Sequence, residues 1–156
     1  LLLTNEQIRD VIDTVARKAV LILGRFTPER KEVLNSLREA LRANGYAPIL
    51  FDFERPTTRD LTETVRTLAH LSRFIIADLT DPASVPQEVQ AIVPDLAVPV
   101  APILCGDEPW AMFSDLQRKY HWVLDVHHYD DLTDLLDSIT DRVIDPAEAK
   151  ARELTA

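Results

Sequence analysis

The chain has 156 residues, 46% of them hydrophobic and 28% charged, which is one domain's worth of sequence with apolar material enough for a single core. Its formal net charge of -9, with acids spread along the chain, excludes nucleic acid or an anionic membrane as the main partner, since both need a basic patch. The single Cys105 excludes an internal disulfide framework and points to a reducing, cytoplasmic setting; no apolar run approaches the ~20 residues that cross a bilayer.

The chain opens on Leu1 rather than Met and reads as a piece of a longer protein. Thr4-Asn5-Glu6-Gln7 has the form of a capping box. Ile8, Val11, Ile12 and Val15 follow at helical spacing, which predicts an amphipathic helix over 4–16. Ala19 to Leu23 is a continuous apolar run, the pattern of a strand covered on both faces. After Gly24-Arg25-Phe26, Thr27-Pro28-Glu29 starts a helix with a cap, a Pro at the first position and an early acid. Its inward stripe is Val33, Leu34, Leu37, Ala40 and Leu41, and Asn44-Gly45 stops it.

Tyr46 to Phe53 reads as the second strand, and Pro48, lacking an N–H, puts it at a sheet edge. A polar loop follows with Arg55 and Arg59, then a third helix from Asp60 with Leu61, Val65, Leu68 and Leu71 inward. Phe74 to Ala77 is a buried strand ending on Asp78, and Ser84 caps the helix that carries Glu88. The fourth strand is expected at 98–104, a short helix at 110–118, the fifth strand at His121 to Val126 and the last helix at Asp130 to Val143. Pro146 is expected to end the domain, leaving a frayed tail at 146–156.

Five strands alternating with helices over short connections predict an α/β fold of flavodoxin type. It is a five-stranded parallel sheet in the order 2-1-3-4-5 with helices on both faces. Ligands of such sheets bind in the crevice beyond the carboxyl ends of the strands. Glu88 is the acid nearest that crevice. Helical phase sets it about 40° beyond Ile92, at the edge of the buried stripe of Val85, Val89, Ile92 and Val93. Partial desolvation there suits a general acid/base or a charge-stabilising carboxylate; an acid that simply favours the helix dipole is the alternative.

Arg25 and Phe26 end the central strand across the same crevice. A cation beside an aromatic suits a phosphate and a stacked base, or else Phe26 plugs the first long helix. Asp78 at its strand end is a weaker candidate, since Asp commonly caps the turn there. There is no Gly-x-Gly-x-x-Gly, no P-loop and no Gly-x-Ser-x-Gly elbow. No Cys/His spacing suits zinc; the adjacent His127 and His128 point to opposite sides if extended, and no metal is expected. Cys105 follows a strand and reads as small, buried packing.

Five β/α units, Arg55-Pro56 after the second strand and Ser84-Val85-Pro86-Gln87-Glu88-Val89 opening a helix carry a resemblance. Over about residues 18–143 the chain resembles a bacterial Toll/interleukin-1 receptor (TIR) or TIR-like domain. TIR domains often carry Trp-Cys-x-x-Glu-Leu at that helix start; here Ser84 and Val85 replace the Trp and Cys, while Glu88 and Val89 keep the Glu and an aliphatic residue. The ending of the first strand, Leu23-Gly24-Arg25-Phe26-Thr27, looks more like the nucleoside 2-deoxyribosyltransferase superfamily, a distant likeness.

The resemblance implies Glu88 as catalytic residue and Arg25, Phe26 and Thr27 as the substrate loop; Asp78 and Ser84 are further substrate-binding candidates. It implies an NAD glycohydrolase that takes NAD, or a related nucleotide, as substrate and needs no cofactor. Self-association through TIR–TIR contacts and a place in bacterial defence go with it. A non-catalytic scaffold module and a deoxyribosyltransferase are the alternatives. The expected organisation is a lead-in helix or upstream linker at 1–17, the TIR-like domain at 18–145 and the tail at 146–156.

Overall fold

The computed structural model describes residues 4–53, 61–80, 85–86, 89–90, 93–106 and 117–155. The first helix, α1 (Asn5–Lys18), starts on the expected capping box: Thr4 Oγ1 accepts from the Gln7 N–H at 3.1 Å, and Gln7 Oε1 accepts from the Thr4 N–H at 2.8 Å. It runs directly into β1 (Ala19–Gly24), followed by α2 (Pro28–Ala43) and β2 (Ala47–Asp52). Then come α3 (Leu61–His70), β3 (Phe74–Asp78), a short 3-10 turn (Val93–Leu96), β4 (Val100–Cys105) and β5 (His127–Tyr129).

The strands form one parallel sheet in the order β2-β1-β3-β4-β5, the order expected of a flavodoxin-like fold. β1 and β3 are buried along their whole length, which is why both are unbroken apolar runs. Alternate side chains feed two cores. Leu21, Leu23, Ile75 and Ala77 pack with Val65 and Ala69 of α3 on one face, and Val85 and Val89 join them there. Val20, Ile22, Phe74 and Ile76 pack with Leu34, Leu37 and Leu41 of α2 on the other. β2 is an edge strand with Pro48 inside it, paired only to β1 among the described residues.

Two expectations need correction. The fifth strand is not His121–Val126 but His127–Tyr129, and Val123 makes only an isolated bridge to Val100. Val123 and Val126 both pack on the same face of the sheet, three residues apart. A regular strand repeats every two residues, so it cannot bury both on one face, and the ladder restarts only at His127.

The tail is not frayed either. The helix α4 (Leu132–Ile139) passes through a π-helical turn (Thr140–Ile144) into α5 (Asp145–Thr155). In the π turn the Asp145 N–H bonds the Thr140 carbonyl, five residues back, and the register shift admits Pro146 without ending the helix. Ala147 and Ala151 are buried beneath α5. The expected helix at 110–118 falls mostly outside the described residues; Gln117–Lys119 are described and helical.

Candidate functional site

The crevice lies at the carboxyl edge of the sheet. β1 and β3 are parallel neighbours, so the loop after Gly24 and the loop after Asp78 leave adjacent strands at the same edge. The first loop is held in place by backbone. The Phe53 N–H donates to the Gly24 carbonyl at 2.9 Å, and the Phe26 N–H donates to Asp52 Oδ1 at 3.0 Å. Arg25, Phe26 and Thr27 are all half-buried. Phe26 packs, half-buried, against the core beneath α2. Thr27 occupies the N-cap position of α2 in extended conformation. Its side chain makes no cap bond, and its carbonyl receives the Arg30 and Lys31 N–H groups.

Asp78, expected among the ligand contacts, sits beneath the crevice with 0% exposure. Its carboxylate receives four hydrogen bonds: Arg30 Nε at 2.9 Å, Arg30 Nη2 at 3.1 Å, the Thr80 N–H at 3.2 Å and the Thr80 hydroxyl at 2.8 Å. Arg30 also donates to the Tyr129 hydroxyl, and the Cys105 N–H donates to Thr80 Oγ1 at 3.1 Å. One charged network therefore ties together the carboxyl ends of β3, β4 and β5 and the first turn of α2. Gly24 leaves room for it: a Cβ there would stand 3.4 Å from the Asp78 Cβ and as close to Leu34.

Burial works against the Arg30 charge, yet the Asp78 carboxylate and the hydrogen bonds around it raise its pKa further above an already high value. Burial also raises the Tyr129 phenol, with Arg30 opposing it. Both groups hold their protons at any ordinary pH.

Arg30 and Tyr129 were not among the sequence candidates. The signal for Arg30 was present: it precedes Leu34, Leu37 and Leu41 by four, seven and eleven residues, in phase with the buried stripe. A cation so placed, in a first turn whose dipole disfavours it, calls for a buried anion.

Ser84 and Glu88 lie outside the described residues. The residues around them are anchored: Val85 and Val89 are buried in the α3-side core, the Val89 N–H bonds the Pro86 carbonyl at 3.0 Å, and Gln90 Nε2 donates to the Val85 carbonyl at 2.7 Å. The described part of this edge carries the half-buried Arg25 and Phe26 after β1 and the buried Asp78–Arg30 pair at the end of β3.

No cluster of metal-ligating side chains occurs among the described residues. His127 Nε2 pairs with the Ser138 hydroxyl and His128 Nδ1 with the Gly106 carbonyl, each at 2.8 Å, so the two rings turn to separate partners. Cys105 is half-buried, its Sγ 3.5 Å from the Asp130 carbonyl. Among the described residues, no helix is long and apolar enough to cross a membrane.

No family model and no curated protein matches the chain. Among solved structures it is similar to the TIR domains in the structure of the activated Roq1 resistosome directly recognizing the pathogen effector XopQ. The two share 17% sequence identity with a TM-score of 0.46, over 88% of this chain and 81% of that one.

Proposed function

We propose that this is a TIR-like domain that hydrolyses the N-glycosidic bond of NAD or a related nucleotide, with Glu88 as its catalytic residue. The observation that supports the reading is the parallel pairing of β1 with β3, from whose carboxyl ends the Arg25-Phe26-Thr27 loop and the segment containing Glu88 follow in sequence. The resemblance of the Glu88 segment to the TIR helix start supplies the reaction. The bond between C1′ of the ribose and the nicotinamide nitrogen breaks, and its electron pair leaves with nicotinamide. The Glu88 carboxylate stabilises the positive charge that develops on the ribosyl group and holds its hydroxyls. Water bonds to C1′, its proton passes to solvent, and ADP-ribose is released. Phe26 stacks on the base and Arg25 contacts a phosphate. Asp78 touches no substrate in this scheme; it braces the crevice floor through Arg30 and Thr80.

TIR–TIR self-association completes the site, and the setting is a bacterial defence response. Incubating the chain with NAD at high concentration, with Glu88→Ala alongside, tests this. Loss of NAD that disappears in the variant supports it, and NAD loss that survives the substitution removes Glu88 from the chemistry.

A scaffold function is the second reading, favoured by Ser84 and Val85 standing where TIR domains carry Trp and Cys. It predicts no NAD loss in any assembled state. A deoxyribosyltransferase, the third, exchanges bases between nucleosides and leaves NAD intact.

A further inference from the structure

Arg30 has a donor that the buried network does not use. Two of its three guanidinium nitrogens are turned inward: Nε and Nη2 donate to the Asp78 carboxylate, and Nη2 also donates to the Tyr129 hydroxyl. Nη1 donates to no described residue, yet it is not one of the polar atoms sealed from water without a partner. The 9% of the side chain that is exposed therefore includes Nη1, with both of its N–H bonds unused.

Position and charge say what that donor can take. In a parallel sheet of order 2-1-3-4-5, ligands bind at the switch point between β1 and β3. The ion pair spans that point, because Arg30 stands in the first turn of the helix after β1 and Asp78 ends β3. Asp78 is 0% exposed, so a ligand meets the guanidinium and not its counter-charge. Three hydrogen bonds fix the guanidinium before any ligand arrives, which lowers the cost of ordering it on binding. Thr27, three residues earlier and on the same side of α2, has a half-buried side chain that makes no cap bond. The net charge of -9 opposes an anion at long range, but physiological salt screens exposed charges beyond about 8 Å. A guanidinium with a hydroxyl beside it suits the oxygens of a phosphate.

We propose that Arg30 is a substrate contact: Nη1 donates to a phosphate oxygen of a nucleotide diphosphate lying across the β1–β3 switch point, with the Thr27 hydroxyl as a second donor. The identity of the ligand rests on the nucleotide reading given above, and the contact rests on the geometry of Arg30. The diphosphate then lies on the floor of the crevice, with Arg25 at its side. This also gives the buried ion pair a purpose that packing alone does not require, since two apolar side chains of similar volume could fill the same space at little cost in stability.

The probes are ADP-ribose, which keeps the diphosphate and lacks the bond to nicotinamide, inorganic pyrophosphate, and adenosine as the phosphate-free control. In NMR spectra of the concentrated 156-residue chain, the Arg30 side-chain N–H resonances should shift with ADP-ribose and with pyrophosphate and stay in place with adenosine. By calorimetry, Arg30→Met with Asp78→Leu, which removes both charges and keeps the floor filled, should bind ADP-ribose at least about tenfold more weakly than the parent. Its response to adenosine should match the parent's. If that variant does not fold, the Arg30 resonances of the parent decide alone. ADP-ribose that binds without moving them overturns the contact, as does equal affinity in the two chains or no binding by the parent. An adenosine response that falls together with the ADP-ribose affinity makes Arg30 a structural residue only, and overturns it too. A chain that holds ADP-ribose through Arg30 and leaves NAD intact refutes the chemistry assigned to Glu88 and not this contact.

Discussion

β3 is held at its two ends by two ion pairs of different kinds. At the carboxyl end Asp78 and Arg30 are bidentate, with side chains 0% and 9% exposed. At the amino end Arg73, just before the strand, meets Glu148 of α5 at 2.9 Å, both side chains 19% exposed; the Tyr46 hydroxyl donates to the same carboxylate at 2.8 Å. That carboxylate and burial together raise the Tyr46 phenol well above its usual range, burial being the larger cause. The buried pair sits under the crevice and shapes it. The other binds the last helix to the sheet at the edge away from the crevice. Breaking the first leaves a charge almost wholly shut from water, and breaking the second leaves charges that water partly reaches.

That difference sets the order of effects. Asp78→Ala strands the Arg30 guanidinium and should cost about 3–5 kcal/mol in urea unfolding. A loss under about 1 kcal/mol would show that water reaches Arg30 after all. Glu148→Ala removes an ion pair and a phenol hydrogen bond at the partly wet end. It should cost about 1–2 kcal/mol, with hydrogen exchange in α5 accelerating before the rest of the chain.

A smaller effect comes with pH. Burial, with Arg142 nearby, lowers the His127 pKa, so the folded state resists a proton that the unfolded state takes up. Stability is then full above the ordinary histidine pKa of 6.5 and declines as pH falls below it. His127→Gln should flatten that part of the stability–pH curve; an unchanged slope assigns the decline elsewhere. The smallest expected effect is the most informative. Replacing both members of the buried pair, Arg30→Met with Asp78→Leu, should leave stability within about 1 kcal/mol of the parent. A large loss would mean that Thr80 and Tyr129 depend on the charges for their own positions.

The regular parts of the fold were legible because each announces itself locally. β1 and β3 are unbroken apolar runs, the Thr4–Gln7 box starts α1, Pro48 marks an edge strand, and Gly45 (φ +88°), at the end of α2, takes a backbone conformation that suits glycine. What escaped depends on partners far along the chain. Pro146 looks like a stop unless a π turn precedes it, and the apolar residues of 122–126 look like a strand until Val123 and Val126 are found on one face. At the site, Arg25-Phe26-Thr27 follows β1 at the carboxyl edge of the sheet. The network around Asp78 was not legible, because Arg30 lies 48 residues away and Tyr129 reaches it only through the fold. Ser84 and Glu88 fall outside the described residues, so their assignment rests on helical phase and on the resemblance.

The central claim is that Glu88 acts on an N-glycosidic bond. The most direct measurement is the rate of nicotinamide release from NAD, followed by proton NMR, for the assembled chain and for Glu88→Gln, a near-isosteric change that removes only the charge. Release by the parent, reduced at least about a hundredfold in the variant with the unfolding curve unchanged, is the predicted result. Equal release by both chains, or none from the parent in any assembled state, would contradict it.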